Sequence, residues 1–483
     1  MHQLTGLDAA FLAMETPAVY GHVGSICVVD PSTAPEPLTL ETLQELIASR
    51  LHLVPPFRRR LAEVPFGFDQ PYWIEDPHFD IEFHVRELAL AAPGNDHQLA
   101  EQAARLHARP LDRDRPLWEV YLISGLAGGR AAIYTKVHHA AIDGVSGNDI
   151  LGAVLDTDPK GRDLGEVPPW KPDSVPGAVP LLARSMVSLA GHPLRAVRMT
   201  ADMIRTMPYM LRSPARPTIP LLEPLLPTRR GASAVLAESP LRAPRTPFNH
   251  SVSPHRRWAF RTVPMADVRA VKSATGATIN DVVMALTAGA LRRWLQDHGA
   301  LPDSPLLAAV PVSVRTKEQE GTGGNRVSTM IAPLATHLAD PAERLEHSHE
   351  AMAAAKDQHG ALPADLLSDV TQFAMPALAG QAARLAARLR LVEWLSPFNL
   401  IVSNVPGPRV PLYYAGARLI AYYPLSAVAD GQGLNITVMS YDGGMHFGLI
   451  ACRELVPDLD VMAGYLVDEL AELLEVVQAE ASA

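Results

Sequence analysis

Apolar residues recur every three to four positions over residues 40 to 51 (LETLQELIASRL) and 97 to 108 (HQLAEQAARLHA). This spacing predicts two amphipathic helices packed on something larger. Residues 130 to 137 (RAAIYTKV) read as a short β-run, broken by the polar, glycine-closed turn HHAAIDG. Ser146 is the expected N-cap of a helix reaching about Leu155. Further on, Thr278 to Leu295 places Val282, Val283, Leu286, Ala290, Leu291 and Trp294 on one face of a helix expected to be buried, and residues 306 to 314 (LLAAVPVSV) resemble a buried strand. Leu434 to Tyr441 and Met445 to Cys452 flank Asp442-Gly443-Gly444, a hairpin signal. A helix over about 459 to 478 closes the chain. Strands and helices mix in both halves, so the expected fold class is α/β, with two domains of similar size.

Between the halves, Pro and Gly are dense at 167 to 180 and Pro returns repeatedly from 214 to 247, which marks a long connection. The expected organisation is an N-terminal domain over 1–165, a connection over 166–250 and a C-terminal domain over 251–483. Residues 186 to 213 stand out inside the connection as apolar and Met-rich, with Arg195, Arg198, Arg205 and Arg212 opposed only by Asp202. Two readings stand side by side: peripheral contact with an anionic membrane or droplet surface, or a connecting segment packed on its own protein with solvated arginines. Pro193 and Pro208 interrupt any continuous helix there.

Composition narrows the classes. The chain of 483 residues carries 42 Lys+Arg against 52 Asp+Glu, a formal charge of −10, so nucleic acid is not an expected partner. With 48% hydrophobic and 19% charged residues the composition is that of a globular protein with large cores. Cys27 and Cys452 are too few and too isolated for a disulfide framework or a thiolate zinc site, and a reducing cytosol is the default compartment. The first residues lack a basic region followed by an apolar core, and no uncharged apolar run reaches about 18 residues. A cytoplasmic protein without a spanning helix is expected.

The chemistry concentrates in Lys136 to Gly147, KVHHAAIDGVSG. Imidazole takes a proton from a hydroxyl near neutral pH and returns it to a leaving group more readily than any other unperturbed side chain. Adjacent residues leaving a strand point to opposite sides, so only one of His138 and His139 faces a given cleft. Asp143 is expected to hold the turn through backbone hydrogen bonds or an Arg partner, while Gly144 permits a backbone conformation closed to other residues. A zinc site from His138, His139 and Asp143 is disfavoured, because opposed neighbours seldom ligate one ion and no third His or Cys lies at suitable spacing. No metal and no cofactor are expected. GxGxxG, GxxxxGK[ST] and GxSxG patterns are absent from any usable context, which argues against nucleotide-binding and hydrolase-elbow readings.

HHAAIDG fits an HHxxxDG signature shared by chloramphenicol acetyltransferase-like folds, peptide-synthetase condensation domains and plant acyltransferases. Further segments narrow the choice: LTGLDAAFLAMET at 4 to 16, Pro116-Leu117-Trp118, TINDVVMA at 278 to 285, VPVSVR at 310 to 315 and SNVPGP at 403 to 408. On these, nearly the whole chain resembles the bacterial wax ester synthase/diacylglycerol acyltransferase family. The resemblance implies a chloramphenicol acetyltransferase-like fold of two domains with the His motif at their interface. It implies transfer of a long acyl chain from acyl-CoA, as co-substrate, to diacylglycerol or a fatty alcohol. It also implies His139 as the catalytic base, His138 as its neighbour, Asp143 as a structural acid, with Arg315 as candidate partner, and Asn280 and Asp281 as the ND motif near the site.

A thioester is already activated, so the enzyme has to deprotonate an alcohol, place it against the carbonyl and stabilise the oxyanion. Asn280 is either an amide donor to that oxyanion or a polar residue satisfying a helix N-terminus. Pro116, Leu117 and Trp118 are expected to pack the core or line a substrate tunnel, and SNVPGP to end a strand as a turn. The rivals to this reading are a condensation-type enzyme with a carrier-bound donor and a catalytically silent lipid-binding protein.

Overall fold

The computed structural model describes residues 1–67, 69–142, 147–167, 169–186, 243–313, 327–360 and 396–482. In the first half the order is β1 (His2–Gln3), α1 (Gly6–Ala13), β2 (His22–Asp30), α2 (Leu40–Arg50), β3 (Arg59–Ala62), β4 (Tyr72–Glu75), α3 (Ile81–His84), β5 (Val85–Ala89), α4 (Asp96–His107), β6 (Trp118–Ser124), β7 (Ala131–His138) and α5 (Gly147–Val154). The second half runs β8 (Arg256–Pro264), α6 (Met265–Thr275), α7 (Ile279–Asp297), β9 (Leu306–Ser313), β10 (Val327–Leu334), α8 (Pro341–Gly360), β11 (Leu400–Val405), β12 (Tyr413–Tyr414), β13 (Ala417–Leu425), β14 (Leu434–Tyr441), β15 (Gly444–Cys452) and α9 (Leu459–Ser482).

Local chemistry starts these elements. The Thr39 side chain accepts from the Thr42 amide while Thr42 returns a bond to the Thr39 backbone, and Asn95 with Gln98 and Thr278 with Asp281 form the same reciprocal cap for α4 and α7. Asp442 and Gly443 both take positive φ, 41° and 81°, which matches the right-handed twist of the β14–β15 hairpin. The hairpin is one residue tighter than the sequence suggests, with Tyr441 opposite Gly444.

Two six-stranded sheets result, in the orders β12-β13-β2-β7-β6-β5 and β10-β9-β11-β14-β15-β8, beside a small sheet β1-β4-β3. The first large sheet is completed from the other half of the chain: β13 lies antiparallel on β2, from Arg418 opposite Asp30 to Leu425 opposite Gly24. An apolar cluster ties the halves together, with Leu99 and Ala103 of α4 and Tyr134 of β7 meeting Trp258 and Phe260 of β8, Tyr423 and Ile450. The mixed α/β class follows directly from these layers. Of the expected connection, the described part packs back on the small sheet through Leu181, which meets Val64, Tyr72 and Ile74. Residues 187–213, including the four arginines, lie outside the described residues.

Candidate active site

Strand β7 delivers the two histidines to its end, where the backbone amide of His138 donates to Leu117 O (2.9 Å) and that of His139 to Gly21 O (2.8 Å). His138 is buried, and both its ring nitrogens are engaged. Its Nδ1 accepts from the Ala140 amide at 3.0 Å, so the proton sits on Nε2, which donates to Oε1 of Glu15 at 3.1 Å.

Glu15, just past α1, is the organiser that the sequence reading overlooked. Its Oε1 also accepts from the Gly21 amide at 2.8 Å, and its Oε2 from Arg113 at 2.6 Å. Arg113 is itself fixed by the carbonyl of Leu12 at 2.7 Å. Burial is the largest influence on the Glu15 carboxyl and pushes its pKa up, but the His138, Gly21 and Arg113 contacts together outweigh it and hold the group at about 2. Gly21 is required here, since a Cβ would stand 2.7 Å from His138 Nε2. Glu15 and Arg113 lie within or next to segments that the sequence reading singles out, but no spacing rule links either to a histidine at position 138.

His139 is differently placed. It is partly exposed at the start of the 3-10 turn His139–Ile142, and its ring stacks on Phe11 of α1 with centroids 4.9 Å apart and 14° between planes. Burial in an apolar setting, with His138 adding to it, lowers its pKa to about 4, so the imidazole is neutral at physiological pH. Beside this turn lies a mostly apolar cavity of about 80 Å³, partly open to solvent, with Ile142 among its lining residues.

The other predicted residues form the framework. Pro116, Leu117 and Trp118 are buried, and Trp118 donates Nε1–H to Phe57 O (2.9 Å) while its ring stacks between Phe57 and His84 at 4.7 and 4.4 Å. They brace the turn from behind. Asp281 is buried and spends its carboxylate on the Thr278 amide (2.8 Å) and on His349 Nδ1–H (2.7 Å), a helix cap tied to α8. Asn280, one residue earlier, accepts from Asn404 Nδ2 at 3.3 Å, which joins the TINDVVMA and SNVPGP segments. Asp143, Gly144, Ser146 and Arg315 lie outside the described residues. Among the described residues no group of three or more His, Cys, Asp or Glu is placed to hold a metal ion, and Cys27 and Cys452 are both buried thiols.

The comparisons with known proteins identify the family. The family model described as the wax ester synthase/diacylglycerol acyltransferase catalytic domain matches residues 4–283, and the model of that family's C-terminal domain matches residues 323–474. A Mycobacterium tuberculosis protein named as a diacylglycerol O-acyltransferase is 37% identical over 477 residues, covering 98% of this chain and 90% of that protein. A Mycobacterium bovis protein of the same designation is 36% identical, covering 97% of this chain and 98% of its own length. Among solved structures, the wax ester synthase/diacylglycerol acyltransferase of Marinobacter aquaeolei VT8 superposes with a TM-score of 0.68 at 31% identity, over 99% of this chain and 100% of that one. The first condensation domain of the calcium-dependent antibiotic synthetase shares the fold, with a TM-score of 0.54 at 18% identity over 98% and 96% of the two chains. With family models covering both halves and relatives matching along nearly the full length, this chain belongs to the wax ester synthase/diacylglycerol acyltransferase family.

Proposed function

We propose that this protein transfers a long acyl chain from acyl-CoA to the hydroxyl of diacylglycerol, and to fatty alcohols as a second acceptor class, with His139 as general base. One observation carries the assignment: both ring nitrogens of His138 are occupied by the Ala140 amide and Glu15, whereas His139 is the partly exposed, neutral imidazole beside the cavity. His139 accepts the hydroxyl proton as the alcohol oxygen attacks the thioester carbonyl. The tetrahedral oxyanion then collapses, the C–S bond breaks, and the imidazolium returns its proton to the departing CoA sulfur. Asn280, whose Oδ1 already accepts from Asn404, keeps its amide N–H groups for the oxyanion.

Diacylglycerol resides in a lipid phase, so the reaction takes place at a membrane or droplet surface in this reading. The contact is peripheral in this reading, with Arg195, Arg198, Arg205 and Arg212 as its candidate residues; among the described residues no helix is long and apolar enough to cross a membrane.

The test is an assay with labelled palmitoyl-CoA and vesicle-borne diacylglycerol or hexadecanol. His139→Ala is expected to lower kcat by about 10² or more while the protein stays folded. Retained turnover in folded His139→Ala sinks the base assignment, and absence of transfer to either alcohol by the unaltered enzyme sinks the activity. The same assay at rising salt checks the arginine contact, since turnover on anionic vesicles that ignores salt rules it out.

A further inference from the structure

Residues 15–21 form a closed loop. Glu15 Oε1 accepts from the Gly21 amide, and inside that closure the Thr16 and Val19 backbones exchange hydrogen bonds while Thr16 Oγ1 accepts from the Ala18 and Val19 amides at 3.2 and 3.0 Å. Both histidines of the site hang on its two ends. Glu15 at one end accepts from His138 Nε2, and the Gly21 carbonyl at the other accepts from the His139 amide. The loop is short, so a displacement of its tip is felt at both ends.

That tip is held from the other half of the chain. Arg256, at the start of β8, is only 6% exposed, and its Nη2 donates to the carbonyl of Ala18, 238 positions away in sequence. Its Nη1 donates to the carbonyls of Ser253 and His255, which ties the guanidinium to the chain just ahead of β8. The guanidinium carbon also lies 5.6 Å from the centre of the Tyr20 ring. Tyr20 donates its hydroxyl to Pro17 O at 2.8 Å and stacks on His22, the residue of β2 that pairs with His138 of β7.

Among the described residues no carboxylate forms an ion pair with Arg256; its hydrogen bonds go to backbone carbonyls. Burial works against its charge and lowers its pKa. A buried guanidinium is costly unless hydrogen-bonded, and here the bonds that offset the cost reach into both halves. The planar fork matters as much as the charge, since one point donor cannot serve Ser253, His255 and Ala18 together.

We propose that Arg256 is a positioning residue for acyl transfer: its grip on Ala18 sets the 15–21 loop and, through Glu15 and Gly21, the placement of His138 and His139. The inference rests on the function proposed above, but the placement of the loop can be read without turnover.

With palmitoyl-CoA and diacylglycerol, Arg256→Gln is expected to lower kcat about 10- to 100-fold while the KM for palmitoyl-CoA stays within about twofold, as for an ångström-scale misplacement of catalytic groups. Arg256→Lys should recover part of the rate. Arg257→Gln is the control, because Arg257 points to the opposite face of the strand and donates to Pro457 O at 3.1 Å; it should leave kcat unchanged. Two residues acting through one loop are not independent, so Glu15→Gln combined with Arg256→Gln should fall within about threefold of the slower single variant. Full multiplication of the two losses overturns the proposal, as does a loss of kcat that tracks a fall in melting temperature and that lysine does not rescue. Nitrogen-15 labelling of the histidines reads the loop directly. The Nε2–H signal of His138, identified by its loss in His138→Gln, should shift in Arg256→Gln and stay in place in Arg257→Gln. That shift supports the coupling even if His139 proves not to be the base, and an unmoved signal refutes it even if His139 is.

Discussion

The two large sheets have the same number of strands and opposite interiors. In the second half, α7 lies on its sheet with Val282, Val283, Leu286, Ala290 and Leu291 sealed from solvent, and Leu400, Ile436 and Val438 of the central strands β11 and β14 are equally closed. In the first half the central strands β2 and β7 instead border a partly open space, which lies beside the turn that carries His139 and Ile142. A void forfeits the dispersion contacts that its lining would otherwise make, so a hollow sheet is intrinsically weaker than a filled one.

Acid should expose this asymmetry most strongly. His22, His84 and His107 of the first half are buried and neutral, with pKa values lowered by burial first of all, to about 4 for His84 and about 3 for His107. In the second half His446 is lowered to about 4 for the same leading reason. A histidine whose folded pKa lies below its unfolded value of about 6.5 stabilises the fold fully above that value, and loses this stabilisation as pH falls toward the folded value. By pH 5 the summed loss is on the order of several kcal/mol and falls mainly on the first half. Hydrogen exchange at pH 5 against pH 7 should show β2 and β7 losing protection before α7 and β14, and a uniform loss would break the comparison.

Truncations probe the same contrast at single positions. Leu286→Ala in the filled core is expected to cost about 2–5 kcal/mol, whereas Leu151→Ala, which only enlarges an existing space, is expected near or below the lower end of that range. Equal losses in denaturant melts would mean that the cavity closes in solution. Glu15→Gln removes the charge that accepts the His138 Nε2 proton. It should reduce kcat by about 10- to 100-fold through misplacement of the turn carrying His139, with the KM for acyl-CoA moving little and Glu15→Asp recovering part of the rate. A loss confined to KM, or one matched by a fall in melting temperature, would make Glu15 merely structural.

Much of this architecture was legible in local pattern. The helical spacing over 40–51, 97–108 and 278–295, the Asp442-Gly443 turn and the β-run into the HHxxxDG segment all carry their signal within a few residues, and the structure places elements there. What was not legible depends on distant pairings. Glu15 lies 123 residues from His138 and 98 from Arg113, and a single carboxylate after a short helix has no local feature that announces such partners. The cavity is likewise a matter of missing volume, hinted at only by the small or hydroxylic Gly24, Ser25 and Thr135 within otherwise apolar strands. Pairing of β13 with β2 bridges almost four hundred positions, Arg418 to Asp30, and nothing in either strand names the other.

That pairing sets a timetable for synthesis. While the chain is still on the ribosome, every residue of the histidine segment emerges long before Ala417–Leu425, so the β2 edge over Gly24–Asp30 waits unpaired through the intervening elongation. An open edge of this kind is a template for any free strand, including the same strand of a neighbouring nascent chain. A protein truncated at residue 250 would carry the histidine pair and much of the cavity wall, yet keep that edge permanently sticky. It would tend to self-associate or to borrow β13 from a second copy, which makes the crossing strand the point at which two coding halves become one inseparable unit.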